Sequence, residues 1–202
     1  MSLSAILRVF AAAAVVFAVI VGGVVLLADS DQGAADSAGS GTALVGGPFT
    51  LTDQFGNTRT AEDFRGKFML VFFGYTYCPD FCPTALNTMS EVMTLLGPDA
   101  DKVQPIFITI DPQRDTVEQL RLYAQSFDPR LVALTGTPEQ IAIVAKAYRV
   151  YYAKAKGESG DDYLMDHSTF VYLMGPDGAY VTHFRYGLPA EDMAAGIRKY
   201  LR

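Results

Sequence analysis

The chain has 202 residues, half of them hydrophobic, with 16 basic against 22 acidic residues and a formal net charge of −6. This length is enough for one well-buried domain with additional segments. The acidic balance argues against nucleic acid as a partner and against docking on anionic lipid. Only two cysteines and two histidines are present, so any site built on sulfur or imidazole ligands must use these few residues.

An apolar segment near the N-terminus is the first element of the chain. Val9–Ala28 contains no charged or strongly polar side chain. Twenty such residues in a helix span about 30 Å, the thickness of a bilayer core, so the sequence predicts one transmembrane helix. A cleaved signal peptide is the alternative. Its apolar region would be shorter and would end in a small-x-small site, whereas Leu26 stands at the third position before a cut after Ala28.

The flanks of this segment predict its orientation. Arg8 precedes it and Asp29, Asp31 and Asp36 follow it, and basic residues prefer the cytoplasmic side. Residues 1–8 are therefore predicted to be cytoplasmic and the domain to be exported. No Arg-rich, Ser-rich transit peptide precedes the segment, which favours a bacterial inner membrane with the domain in the periplasm. Residues 29–47, rich in Gly, Ala, Ser and Asp, predict a flexible linker that holds the domain roughly 25 Å from the membrane.

The remaining residues, 48–202, alternate strand and helix patterns. The first half predicts a hairpin turning at Gly56 and Asn57, a buried strand over 68–74, a helix ending at Leu96 and a strand over 103–110. A helix opened by Asp115 and Glu118 and running to about Phe127 follows, then a strand over 130–136 and a helix from Pro138 to about Tyr148. The chain closes with an exposed loop over 157–162, a hairpin over 168–184 and a final helix. Alternating units imply an α/β sheet with helices on both faces. The cysteines after a buried strand, together with the closing hairpin and helix, indicate a thioredoxin-like fold with an extra N-terminal hairpin.

The two cysteines, Cys78 and Cys82, are separated by three residues and stand at the start of a predicted helix. A helix that began at Pro79 would bring the ring of Pro83 against a carbonyl four residues back. We therefore place Pro83 at the first helical position, Cys82 at or near the N-cap and Cys78 in the preceding loop. The helix N-terminus is then expected to stabilise a thiolate at Cys82.

Two converging sulfurs suit a redox pair or a metal site. A plain structural disulfide is the alternative, but it would close a very small loop in a domain that already has a full core. The two histidines are the candidates for a third metal ligand. His183 lies in the middle of a predicted strand, whereas His167 stands where a thioredoxin-like fold usually has a cis-proline facing the cysteine motif. His167 could also be only a capping residue at a strand start.

A Cys₂His set suits Cu(I), and Cu(II) with an added ligand. Zinc accepts the same ligands, but a structural zinc site normally has four protein ligands. Met165 could add a soft contact to the metal. Asp166 could hydrogen-bond to a metal ligand without touching the metal itself. Adjacent residues of a strand face opposite ways, which argues against this role beside His167.

The chain resembles the Sco/SenC copper-chaperone family in the segments "GYTYCPDFCPTAL", "FITIDPQRDT" and "DHSTFVYLMGPDG", over about residues 48–202. The resemblance implies that copper is bound by Cys78, Cys82 and His167. It also implies a role in assembling the dinuclear copper centre of cytochrome c oxidase, whose copper-centre subunit would be the partner. Other periplasmic copper chaperones and thioredoxin-like reductants are further candidate partners. Phe81 replaces the commoner valine of the family, which affects no ligand.

Two other functions remain open at this point. In a thiol–disulfide oxidoreductase, Cys78 and Cys82 would be catalytic and would reduce the cysteines of a membrane-bound client. The missing C-x-x-C spacing and the histidine in the cis-proline position argue against it. A peroxiredoxin-type peroxidase fits less well, because Thr76 lies two rather than three residues before Cys78. Asp111 and Arg114, in the segment "DPQRD" after a buried strand, are expected to order their loop.

Overall fold

The computed structural model describes residues 45–156 and 163–201. The predicted membrane segment Val9–Ala28, most of the predicted linker and the predicted loop over 157–162 lie outside the described residues. Within the part that is described, no helix has both the length and the apolar character needed to cross a membrane.

Nine strands are distributed over two sheets in the described residues. They are β1 (Thr50–Asp53), β2 (Thr58–Thr60), β3 (Phe68–Gly74), β4 (Val103–Thr109), β5 (Val132–Thr135), β6 (Tyr152–Lys154), β7 (Met165–His167), β8 (Val171–Met174) and β9 (Tyr180–Phe184). Seven of them form the main sheet in the order β2-β1-β5-β4-β3-β8-β9, and β6 pairs with β7 in a separate sheet. β3, β4 and β5 run parallel, while the other neighbours in the main sheet pair antiparallel.

Four α-helices connect or follow these strands: α1 (Phe81–Leu96), α2 (Val117–Ala124), α3 (Pro138–Ala147) and α4 (Ala190–Arg198). Short 3-10 helices cover Ala61–Phe64 and Gly97–Lys102. The alternation of strands and helices confirms the predicted α/β class. A single hydrophobic core includes the whole of β3 apart from its first residue, together with the inner faces of the helices.

Several elements follow directly from local sequence. The predicted apolar stripe of α1 is buried, and the helix stops at Gly97, whose φ of 59° lies in the left-handed region that glycine tolerates. Thr137 and Gln140 form the predicted capping box of α3, each accepting a hydrogen bond from the backbone N–H of the other. The opening hairpin turns through Gly56, also at positive φ. These segments needed no tertiary information to be predicted.

The start of α1 differs from the prediction. The helix begins at Phe81 with Asp80 as its N-cap, so Cys82 is its second residue and not its cap. Pro83 is tolerated as the third residue because the first four N–H groups of a helix have no intrahelical partner. The residue four positions back, Pro79, precedes the helix, so its carbonyl does not have to lie where the proline ring would clash with it.

Three further differences concern the edges of elements. Asp115 does not open α2: Thr116 caps it by accepting from the Gln119 N–H, and the helix ends at Ala124 rather than near Phe127. The prediction missed β6 and β7, whose three residues each are too short to show a strand pattern. Folded structure also begins before residue 48, since the Gly46 N–H donates to the Ala147 carbonyl at 2.9 Å.

Gly74, the last residue of β3, lets α1 approach the sheet closely. A Cβ at this position would lie 2.8 Å from Cys82 Sγ and 3.0 Å from ring atoms of both Phe72 and Phe107. We expect Gly74→Ala to lower the free energy of unfolding by about 1–3 kcal/mol, because the closely packed interior must shift to admit a methyl group. Urea denaturation of the reduced protein measures this change.

The matched control is Gly47→Ala, whose added Cβ would meet Ala147 at 3.5 Å, an ordinary contact distance. Its free energy of unfolding should stay within about 0.5 kcal/mol of the parent value. Equal destabilisation by the two substitutions would show that the approach of α1 to Gly74 is not tight.

Candidate metal centre

Three side chains with metal-ligating atoms converge at the N-terminus of α1. The sulfurs of Cys78 and Cys82 and a ring nitrogen of His167 all lie within 4.8 Å of one another. Both cysteines are free thiols, and both are buried, with Cys82 fully enclosed and Cys78 7% exposed. The structure therefore brings together the three residues that the sequence singled out.

The cysteine loop is folded around the Cys78 sulfur. The Cys82 backbone N–H, in the first turn of α1, donates to Cys78 Sγ at 3.4 Å, and the Cys78 N–H donates to the Tyr75 carbonyl at 3.3 Å. The unpaired N–H groups of a helix N-terminus favour a negative charge placed against them. In this structure the sulfur in that position belongs to Cys78, so the prediction that the helix stabilises a thiolate at Cys82 is wrong.

The two thiols consequently have opposite acidities. A hydrogen bond from the Cys82 side chain lowers the pKa of Cys78 to about 4. Burial opposes this shift, while the His167 side chain and the Cys82 backbone N–H lower the pKa further. The neighbouring Cys78 sulfur and burial raise the pKa of the Cys82 thiol above its ordinary value. The two reduced thiols therefore carry one proton in total at neutral pH, and that proton is on Cys82.

His167 is oriented by its own backbone surroundings. Its Nδ1 lies 2.9 Å from the Ser168 carbonyl oxygen, which can only accept, so Nδ1 carries the proton and donates. Nε2 is the ring nitrogen directed at the cysteines, and it lies within hydrogen-bond distance of Cys82 Sγ, at 3.5 Å. The rings of Phe72 and Tyr75 meet the imidazole edge-on, with centroids 6.1 and 5.9 Å away. This arrangement leaves Nε2 as the nitrogen that would ligate a metal, because Nδ1 is held by the Ser168 carbonyl.

The small β6–β7 sheet carries His167 to the cysteines. β7 ends at His167, which pairs with Tyr152 of β6, and β8 begins only at Val171. His167 therefore precedes the closing hairpin and lies beside the cysteines, as predicted, but it is the last residue of a short strand rather than a residue at a strand start. The distance between this strand and the cysteine loop is set by tertiary contacts.

One side of the centre opens to solvent through a cleft of about 360 Å³. The cleft is lined by Tyr75, Cys78, Pro79, Phe81, Ala155, Leu164, Met165, Asp166, His167 and Thr169. Phe81 is half exposed at its rim, and Met165 is partly buried. The Asp166 side chain is exposed and lies between the other two residues of β7, so it faces away from theirs. A metal ion or another thiol could thus approach Cys78 and His167 from this side.

Sequence reasoning missed the role of Asp115, which lies beneath the cysteine loop. Its carboxylate is fully buried and accepts three hydrogen bonds: from the Thr76 N–H at 3.0 Å, and from the hydroxyls of Thr76 and Thr109 at 2.6 Å each. Burial raises the pKa of Asp115, and these bonds oppose the rise. Asp115 thereby fixes Thr76, two residues before Cys78. An acidic residue shortly after a buried strand was the only signal in the sequence.

Asp111 and Arg114 make the contacts expected of loop-ordering residues. The Arg114 Nε donates to Asp111 Oδ2 at 2.5 Å, and the Tyr163 hydroxyl donates to Asp111 Oδ1 at 2.7 Å. The Arg114 guanidinium also lies 3.6 Å from the centroid of the Tyr163 ring. Since Tyr163 shortly precedes β7, this cluster ties the loop after β4 to the segment that carries His167.

His183 does not take part in the centre. It lies on β9, opposite Tyr172, with an exposed side chain. Its Nδ1 is 2.5 Å from the Tyr180 hydroxyl, and its ring meets that of Phe170 edge-on at 4.9 Å. The structure places His183 within a strand, as the sequence predicted, and its aromatic neighbours are seen only in the structure.

The fold and the site together define a thioredoxin-like α/β domain with a Cys₂His cluster at a helix N-terminus that could hold a metal ion. A family model described as SCO1/SenC matches residues 37–202, and the chain belongs to this family. It is 41% identical over 167 residues to the mitochondrial SCO1 homologue of Homo sapiens, and 43% identical over 162 residues to the mitochondrial SCO2 homologue of Bos taurus. These matches cover 80% and 79% of this chain but only 54% and 61% of those relatives.

Solved structures agree with this assignment. Bradyrhizobium japonicum ScoI with copper bound is 49% identical, with a TM-score of 0.72 over 77% of this chain and 99% of that chain. Yeast Sco1 with copper bound is 37% identical, with a TM-score of 0.72 over 78% of this chain and 88% of that chain. BsSco, described as a Sco-family cytochrome c oxidase assembly protein with a disulfide switch, is 26% identical, with a TM-score of 0.62 over 79% and 95% of the two chains.

The asymmetry of the two thiols is open to a direct test by alkylation of the reduced, metal-free protein. Because the pKa of Cys78 is lowered to about 4, its rate of reaction with iodoacetamide should stay nearly constant between pH 6 and pH 8. An ordinary thiol, with a pKa of about 8.5, would react about tenfold faster for each unit of pH. Mass spectrometry of the digested protein identifies the modified cysteine at each time point.

Cys82 serves as the internal control, since it should be alkylated only after denaturation. A Cys78 rate that climbs steeply across this pH range, or a Cys82 that reacts first in the folded protein, would contradict the assignment of the thiolate to Cys78.

Proposed function

We propose that this protein is a copper chaperone that binds copper through Cys78, Cys82 and His167. The observation that carries the proposal is the convergence of these three ligand atoms within 4.8 Å at the edge of an open cleft. Thiolate sulfur and neutral imidazole are ligands that copper prefers, and three of them suit Cu(I). Copper is the cargo here, and the cleft gives a client access to it.

The protonation states of the free site favour binding followed by release. Cys78 is already a thiolate, and Nε2 of His167 is directed at the cysteines. Of the two thiols only Cys82 has to lose a proton when copper enters, and the metal charge then replaces that proton between the two sulfurs. Release to a client would return the proton to Cys82. Two buried thiolates side by side are unfavourable, so both cysteines are deprotonated together only while copper is bound.

For the client we propose the copper-centre subunit of cytochrome c oxidase, with assembly of its dinuclear copper centre as the outcome. Membership of the SCO1/SenC family and the similarity to BsSco support this choice. We further propose that Val9–Ala28 anchors the chain in a bacterial inner membrane, with residues 48–202 in the periplasm. Twenty consecutive apolar residues, preceded by Arg8 and followed by acidic residues, support this arrangement.

The thiols also support thiol–disulfide exchange as a second candidate function. Cys78 is an acidic thiol at the wall of a cleft, and the Cys82 thiol beside it is buried. A nucleophilic thiolate next to a resolving thiol is the arrangement that exchange requires. The Cys78 thiolate would attack a client disulfide, forming a mixed disulfide and releasing one client thiol; the Cys82 sulfur would then attack Cys78, forming the Cys78–Cys82 disulfide and releasing the second client thiol.

Anaerobic titration of the reduced protein with Cu(I) tests the copper proposal. We expect one Cu(I) per chain, and a large loss of affinity when Cys78 and Cys82 are joined in a disulfide, because a disulfide has no thiolate to offer. His167→Ala should fold and keep both thiols but bind copper at least about tenfold more weakly, since one of three ligands is lost. A competing chelator of known affinity measures each constant.

His183→Ala is the matched control and should leave the copper affinity and the Cu(II)–thiolate absorption unchanged. If His183→Ala altered the spectrum instead, the assignment of ligands would be wrong. If the reduced and disulfide forms bound Cu(I) equally, copper chaperone function would be excluded. Efficient reduction of insulin by a protein that fails to bind copper would favour the exchange function.

The location and the client are tested together in bacterial cells that lack their own Sco protein. The full chain should fractionate with the inner membrane, resist extraction at high salt and restore cytochrome c oxidase activity. The Cys78→Ser variant should fractionate in the same way without restoring activity. Recovery of the full chain in the soluble fraction would contradict the anchor, and restored activity in Cys78→Ser would contradict the copper route to the oxidase.

A further inference from the structure

Tyr75 occupies the short connection between β3 and Cys78, and its side chain is only 2% exposed. A phenylalanine would satisfy burial at this position. A tyrosine additionally brings a polar hydroxyl into the interior, and such a group needs a hydrogen-bond partner. The partners of this hydroxyl and of its ring lie on both halves of the metal centre.

The hydroxyl oxygen of Tyr75 accepts a hydrogen bond from the backbone N–H of Met165 at 3.1 Å. Met165 is the first residue of β7, and His167 is its last. The Tyr75 ring also packs edge-on against the His167 imidazole, with centroids 5.9 Å apart. One side chain therefore contacts both ends of the strand that supplies the histidine.

The same residue is linked to the cysteine loop through its main chain. The Tyr75 carbonyl accepts from the Cys78 N–H at 3.3 Å, closing the turn that places the sulfur. β7 forms its strand pairing with β6 and is not a member of the main sheet. Its distance from the cysteines thus depends on side-chain links such as this one, which spans 90 positions of sequence.

We propose that Tyr75 is a positioning residue that ties the His167 strand to the cysteine loop and sets the geometry of the copper site. This inference rests on the proposed copper function. The hydroxyl holds β7 at its Met165 end, the ring limits the tilt of the imidazole, and the carbonyl fixes the Cys78 turn. Without the hydroxyl, β7 and its histidine would move more freely relative to the two sulfurs.

Tyr75→Phe removes the hydroxyl and keeps the ring. In the reduced, copper-free protein, hydrogen exchange of the Met165 amide should become about fivefold faster or more, as the loss of one hydrogen bond predicts. In the Cu(II) form, the thiolate absorption should change, because His167 is held less firmly relative to the two sulfurs. Copper should leave the site about fivefold faster, because the strand that carries the His167 ligand is held less firmly.

Tyr77→Phe is the matched control, because Tyr77 lies two residues away and is 51% exposed. Its ring lies 4.7 Å from the Arg114 guanidinium, a contact that phenylalanine retains. Amide exchange, absorption and copper release should all match the parent protein. Equal effects of the two substitutions would overturn the proposal, as would an unchanged Met165 amide in Tyr75→Phe.

The copper-free measurement separates this inference from the function on which it rests. Faster Met165 exchange in a protein that binds no copper would leave Tyr75 as the link between the two segments and would refute the copper function. If the parent protein bound copper normally and Tyr75→Phe changed none of the three measurements, the role of Tyr75 would be refuted and the copper function would stand. Loss of the whole fold in Tyr75→Phe would also refute it, since a positioning residue leaves the rest of the core intact.

Discussion

The hydrogen bond from the Cys82 N–H to the Cys78 sulfur is the contact on which the centre depends. It joins the loop after β3 to the first turn of α1 and directs the unpaired helix amides to one sulfur. The loop can make this contact because α1 lies very close to Gly74, where no Cβ keeps the helix away. The spacing of three residues between the cysteines is what allows one sulfur to accept from the backbone of the other.

The Cys82 side chain, followed by His167 and this backbone contact, makes the two cysteines chemically different. Cys78 holds a negative charge at the wall of the cleft, and Cys82 keeps its proton in the interior. A metal that replaces that proton and an oxidant that joins the two sulfurs compete for the same pair of atoms. Copper binding and disulfide chemistry are therefore alternative uses of one geometry, and the position of His167 favours the metal.

The histidine reaches the sulfurs through a separate set of contacts. β7 belongs to a small sheet, which is joined to the cysteine loop by Tyr75 and to the loop after β4 by Tyr163. That second loop in turn supports Thr76 through the buried carboxylate of Asp115. Each link is a hydrogen bond to a side chain that is itself buried, namely Tyr75, Asp111 or Asp115, and leaving such a group unpaired would be costly. The site is thus held from three directions, and its open side faces the cleft.

The sequence by itself determined the α/β alternation, the buried strand before the cysteines, the apolar stripe of α1, the capping box of α3, and the candidates Cys78, Cys82 and His167. These features depend on local periodicity and on residue types that are rare in this chain. Tertiary structure alone decided which thiol carries the charge, because the N–H that stabilises Cys78 comes from a helix start that Pro83 does not mark. It also decided the pairing of β6 with β7 and the burial of Asp115, since strands of three residues have no readable period and a buried carboxylate depends on partners far away in the sequence.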